Sequence, residues 1–168
     1  MLNKLFLSFI VILFFTGCGY KPSSYAIATV FDDAIFVEVE VSGAEPENAP
    51  FVKDELNRMI YLRFKGRVAS KEEAKNYIKV RYEGSDFTPL AYKDGYITHY
   101  RINVRVYFDM LTKEGKSTKT ITAFVDRDIQ SSSLTFSTLR TQAIKIGLEK
   151  ALDEFFAYVS VISMSNKS

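Results

Sequence analysis

Within a stretch of about Tyr96 to Thr112, the chain alternates from His99 to Met110. Tyr100, Ile102, Val104, Val106, Phe108 and Met110 take one set of positions, and His99, Arg101, Asn103, Arg105, Tyr107 and Asp109 take the other. A period of two marks a strand with one apolar and one polar face. Any fold the chain adopts must therefore place a core on one side of this strand.

The remaining elements are read against it. Ile35, Val37, Val39 and Val41 alternate with Phe36, Glu38, Glu40 and Ser42, which predicts a first strand over Ile35–Ser42. Gly43 to Pro50 reads as a loop. Val52, Leu56, Met59, Ile60 and Phe64 form one helical stripe within about Phe51–Lys65, with Gly66 as the stop. Ser70-Lys71-Glu72-Glu73-Ala74 has the form of a capping box and predicts one or two helical turns. A second strand is expected over about Tyr77–Phe87, followed by a loop from Thr88 to Gly95. The Tyr96–Thr112 strand turns at Lys113-Glu114-Gly115-Lys116 into a fourth, about Ser117–Asp128. That strand runs out into a Ser-rich loop spanning Asp126 to Phe136. Ile144, Leu148, Ala151, Leu152, Phe155, Val159 and Ile162 hold a helical period from about Ser137 to Ile162, with charges off the stripe, so this helix is not a membrane span.

The order is β-α-β-β-β-α. Each strand has one apolar face and each helix one apolar stripe. The economical arrangement is an α+β two-layer sandwich: a four-stranded mixed sheet with two helices on one face. The helix after the first strand would make a crossover between parallel neighbours. The other sheet face would then be open, polar and aromatic.

The N-terminus carries a different message. Met1 to Lys4 bears one positive charge, an apolar run from Leu5 to Phe15 follows, and Thr16-Gly17-Cys18 ends it. The run has the length of a signal-peptide core and is too short to span a bilayer. A small residue before a cysteine suits signal-peptidase cleavage, and the thiolate of Cys18 is a good acyl acceptor. Cys18 is the one cysteine of the chain, so no intramolecular disulfide is possible. The predicted organisation is a signal peptide over 1–17, a lipid-anchored tether over 18–33, a single domain over 34–163 and a C-terminal tail over 164–168. Gly19, in place of the Asp that would resemble an inner-membrane retention signal, points to the outer membrane.

Enzyme signatures are absent from the sequence. The single histidine, His99, lies on a strand's polar face and reads as a solvated residue. Asp32-Asp33 and Asp126-Arg127-Asp128 lack calcium-loop spacing and read as turn acids. No metal, cofactor or phosphate-loop motif is found. With 22 Lys and Arg against 20 Asp and Glu, net charge does not favour nucleic acid. One patch stands out. Lys79, Arg81, Arg101 and Arg105 should project from the open sheet face near Asn103 and Tyr107, with Glu83 as the main nearby offset. Guanidinium groups grip phosphate through paired hydrogen bonds. The plainer reading is a solvated face kept soluble by Lys and Arg.

The Cys18-Gly19-Tyr20 opening, the strand-helix-three-strand-helix order and Ser70-Lys71-Glu72-Glu73-Ala74 leading into the second strand resemble the LPS-assembly lipoproteins (LptE). The resemblance implies a lipid-anchored outer-membrane protein, on the periplasmic side or inside the lumen of a large β-barrel, LptD. It also implies contact with lipopolysaccharide, for which Lys79, Arg81, Arg101 and Arg105 are the candidates, and a role in binding rather than catalysis. The alternative is an auxiliary lipoprotein of a transporter that binds a solute or an inner-membrane complex. A barrel plug should present a broad polar and aromatic surface, and a solute binder a closed apolar pocket.

Overall fold

A computed structural model describes residues 30–31, 34–43, 45–64, 67–129 and 136–165. The signal segment, Cys18 and the tether up to residue 29 lie outside the described residues, as do Gly66 and most of the Ser-rich loop.

The element order matches the sequence reading: β1 Ile35–Val41, α1 Ala49–Phe64, β2 Asn76–Lys93, β3 Tyr96–Thr112, β4 Gly115–Asp128 and α2 Phe136–Ser165. The strands form one sheet in the order β1-β2-β3-β4. β1 and β2 are parallel, joined by the α1 crossover, while β2–β3 and β3–β4 are antiparallel. Both helices pack on the same face. Val52, Leu56 and Ile60 of α1 share one core with Ile144, Leu148 and Phe155 of α2 and with Ile78, Val80, Val104, Phe108 and Ile121 of the sheet. The Phe155 ring stacks on Phe108 with centroids 4.1 Å apart. The fold is therefore the α+β two-layer arrangement expected, a mixed sheet covered on one side.

Local chemistry sets the element limits. The Val52 N–H donates to the Asn48 carbonyl at 2.9 Å, so α1 starts at Ala49, two residues before Phe51. Pro50 sits in that first turn, where a missing N–H is harmless. Ser70 to Ala74 forms a single turn rather than a helix: the N–H groups of Glu73 and Ala74 both donate to the Ser70 carbonyl, at 3.2 and 3.1 Å. Just before it, Ile35 donates to Arg67 O at 2.7 Å and accepts from Ala69 N at 3.0 Å. Residues 67–69 thus cover the outer edge of β1, and 70–75 cross its end to reach β2.

β2 is longer than its sequence suggests. It runs on to Lys93, paired with β3 through the stretch expected to be a loop. A bulge between Tyr82 and Gly84 explains the difference. Gly84 has φ 129°, a backbone that side chains strain to adopt. Past it the alternation changes phase, so Ser85 and Phe87 face the helices while Asp86 and Thr88 face out. β2 has left β1 by then, and Pro89 sits on a free edge where a strand tolerates it. The turn is only Asp94-Gly95, both at positive φ (51° and 82°), as tight hairpins prefer.

At the opposite end Val30 and Phe31 are buried in the core, although the sequence reading gives them to the tether. The Phe31 ring meets Phe64 edge-on, and Phe64 leans on Phe156. The Lys113 N–H donates to the Val30 carbonyl at 3.3 Å, tying the segment to the β3–β4 turn. α2 continues to Ser165, past the predicted end of the domain. Among the described residues no helix is long and apolar enough to cross a membrane.

Candidate functional site

The helix-free face of the sheet is built from alternate residues of all four strands. Strand register gives its rows. Glu38, Lys79, Asp109 and Thr118 lie side by side, then Glu40, Arg81, Tyr107 and Thr120. Beyond the bulge come Gly84, Arg105 and Thr122, then Asp86, Asn103 and Phe124, then Thr88, Arg101 and Asp126. Phe124 therefore keeps the β4 alternation. It is more than half exposed on this face, beneath the Arg101 guanidinium at 4.6 Å.

All four candidate cations occupy this surface. They form a stripe rather than a cluster, since Arg101 pairs eight residues along β3 from the position opposite Lys79. Each has a carboxylate partner. Lys79 meets Glu40 at 2.6 Å, Arg81 meets Glu83 at 3.4 Å and Arg105 meets Asp86 at 3.5 Å. Arg101 clasps Asp126 through Nε and Nη2 at 2.7 and 2.8 Å. Arg81 also lies over the Tyr107 ring at 4.6 Å. The sequence reading named Glu83 as the main offset; cross-strand pairing supplies Glu40, Asp86 and Asp126 as well. The hydrogen bond from Arg101 holds the Asp126 carboxyl below its usual range.

His99 and the turn acids also read differently once paired. Asp126 and Asp128 belong to β4, and His99 Nδ1 lies 2.6 Å from Asp128 Oδ1. Period-two patterns place such residues on a face but do not say which residues stand opposite; register does. The result is a mixed-sign lattice of exposed ion pairs between threonines and aromatic rings. Such solvent-screened pairs contribute little to stability, but they fix the pattern of charge a partner meets. A phosphate approaching Arg101 or Arg105 would have to displace a carboxylate. Among the described residues no group of three or more His, Cys, Asp and Glu is placed to hold a metal ion.

Two further features escaped the sequence. The first is a polar knot at the bulge. Glu45 is buried, and its carboxylate accepts from Tyr82 Oη at 2.8 Å, Ser85 N at 3.0 Å, Ser85 Oγ at 2.7 Å, Asn48 Nδ2 at 3.2 Å and Arg140 Nη2 at 3.0 Å. It joins the β1–α1 loop, β2 and α2. Burial alone would raise the Glu45 pKa, but the bonds from Ser85, Tyr82 and Asn48 outweigh it and hold the carboxyl low. Burial pushes the Tyr82 phenol well up. The only signal for this knot was Gly84, an isolated glycine inside a strand pattern.

The second is a groove of about 380 Å³ at the β1–β2 end of the open face, where the Ser70–Ala74 turn crosses. Phe36, Tyr77 and Leu111, neighbours across three strands, lie half-buried along it, with Lys71 and Lys75 beside them.

No protein-family model matches the chain, and no curated protein sequence does. Its structure is similar to rare lipoprotein B from Shewanella oneidensis, with TM-score 0.56 at 12% identity, over 79% of this chain and 99% of that one. It is similar to lipoprotein B from Nitrosomonas europaea, with TM-score 0.52 at 13% identity, over 89% and 94%. A DUF330-family protein from Xanthomonas campestris matches with TM-score 0.53 at 11% identity, over 83% and 89%. Identities this low speak to fold alone, and the Shewanella and Nitrosomonas neighbours that share it are bacterial lipoproteins.

Proposed function

We propose that the chain is an outer-membrane lipoprotein, anchored through Cys18, that partners a large β-barrel of the LptD kind. In this reading it takes part in moving lipopolysaccharide to the outer membrane, by binding and not by catalysis. The observation that carries the reading is the open sheet face, a broad surface of paired charges, threonines and rings over which no helix lies among the described residues. A mixed polar surface of this sort suits a wet contact, where side chains and water share the hydrogen bonds. The fold shared with bacterial lipoproteins agrees with the lipobox-like Thr16-Gly17-Cys18. Lys79, Arg81, Arg101 and Arg105 remain the candidates for lipid A phosphates, acting by exchange of their carboxylate partners.

The test is co-purification from detergent extracts of the native membrane. The expected result is a stoichiometric complex with a large outer-membrane barrel that also carries lipopolysaccharide. Recovery of the protein alone would end this reading. One observation favours the alternative, an auxiliary lipoprotein that binds a solute or an inner-membrane transporter: the groove beside Phe36. Recovery with an inner-membrane complex would select it.

A further inference from the structure

We infer that the groove at the crossing of β1 is a binding site for a single-chain anionic amphiphile, an apolar tail carrying one carboxylate or phosphate head. The site goes beyond the barrel-partner reading and does not depend on it.

The floor argues for the tail. A sheet face turned to water has little use for three large apolar side chains in one row. Phe36, Tyr77 and Leu111 stand opposite one another on β1, β2 and β3, half-buried, at one end of a face whose other rings, Tyr107 and Phe124, lie apart under guanidinium groups. Adjacent strands lie about 4.8 Å apart, so the row offers an apolar track roughly 10 Å long. The volume, about 380 Å³, falls in the range of small-molecule sites.

The rim argues for the head. Two of the five charges lining the groove are matched within the protein. Lys79 is held by Glu40 at 2.6 Å, and Asp109 by Lys116 at 3.3 Å and by the Tyr77 hydroxyl at 3.4 Å. Lys71 and Lys75 differ. Both are exposed on the crossing segment, and neither has an ion pair or hydrogen bond among the described residues. Glu38 is the one lining acid without an ion pair among them, so the groove keeps a positive excess. Glu72 and Glu73, though adjacent in sequence, do not line it. Two free ammonium groups beside an apolar track match an anionic head on an apolar tail, and neither a cation nor a fully polar solute fits as well.

The experiment uses the full-length lipidated protein in nanodiscs of zwitterionic phosphatidylcholine, with a diazirine-bearing palmitate as probe. Photolabel should map to the segment 70–79 and to the β3–β4 turn around Leu111. Unlabelled palmitate and lysophosphatidate serve as separate competitors, and whichever displaces the probe at the lower concentration identifies the head as carboxylate or phosphate. Inorganic phosphate should not compete. K71E with K75E should weaken labelling about tenfold, the loss of roughly one well-placed charge-assisted contact. K71Q with K75Q should weaken it less, and Lys93→Glu, at the far hairpin tip, not at all. Label scattered along the chain, competition by inorganic phosphate alone, or labelling indifferent to both double variants would overturn the assignment. None of these outcomes bears on co-purification with a barrel.

Discussion

Glu45 shows how much one side chain can fix. Its carboxylate takes hydrogen bonds from the β1–α1 loop, from the β2 bulge and from α2, so three parts of the chain converge on it. Removing it takes the carboxylate acceptor from the buried Tyr82 Oη and from the half-buried Arg140. Glu45→Ala should therefore destabilise the fold by about 2–4 kcal/mol in urea unfolding at neutral pH. The sign with pH follows from the low pKa. The folded value lies below the ordinary 4.5, so the contribution is full above that pH and fades as pH falls through the folded value. The stability gap between the native protein and Glu45→Gln should narrow on acidification below about pH 4.5. A gap that holds constant from pH 7 to pH 3 would show that the carboxylate's charge is not what matters. The open-face cations are the contrary case. Lys79 and Arg101 are half-buried and Arg105 is exposed, all three are paired, and their worth lies in what they present to a partner.

At the scale of elements, α2 lies so close to β3 that only a glycine fits between them. A Cβ at Gly147 would stand 2.5 Å from Val104 Cγ2 and 2.9 Å from Val104 Cβ. Val104 is fully buried and β-branched, so it has little room to yield. Gly147→Ala should lower stability by about 1–3 kcal/mol through overpacking, against the gain of up to about 1 kcal/mol that Ala brings to a helix interior. Equal or higher stability, measured by thermal unfolding, would mean the helix can lift from the sheet at no loss. The same scale explains what could be read from sequence. β3 was legible from end to end because its alternation never changes phase. The distal half of β2 was not, because the Gly84 bulge swaps faces and Pro89 reads as a loop residue when the neighbouring edge is unknown. The four cations were legible as sharing a face, but Glu40, Asp86 and Asp126 were not legible as their partners. Pairing is set by register, and register depends on the bulge and on a parallel neighbour, β1, reached through a helix. Glu45 was hidden for a simpler reason: a loop has no period.

For the whole molecule the asymmetry of its two faces is the main fact. Both helices, with Val30 and Phe31, seal one side of the sheet into a core. The other side is left bare, long and evenly charged, and the β2–β3 hairpin carries it past the ends of β1 and β4 to Leu90, Tyr92 and Tyr96, all exposed. The segment at Val30 comes in at the other end of the sheet, beside the β3–β4 turn. A barrel-partner role requires that the bare face, and not the helices, meets the partner. Site-specific photo-crosslinking in cells tests that directly, with the reactive residue placed at Asn103, Tyr107 or Thr120 on the open face, or at Glu154 on the exposed side of α2. The account predicts adducts to a large outer-membrane protein from the three sheet positions and none from Glu154. Adducts from Glu154 with silence from the sheet would contradict it.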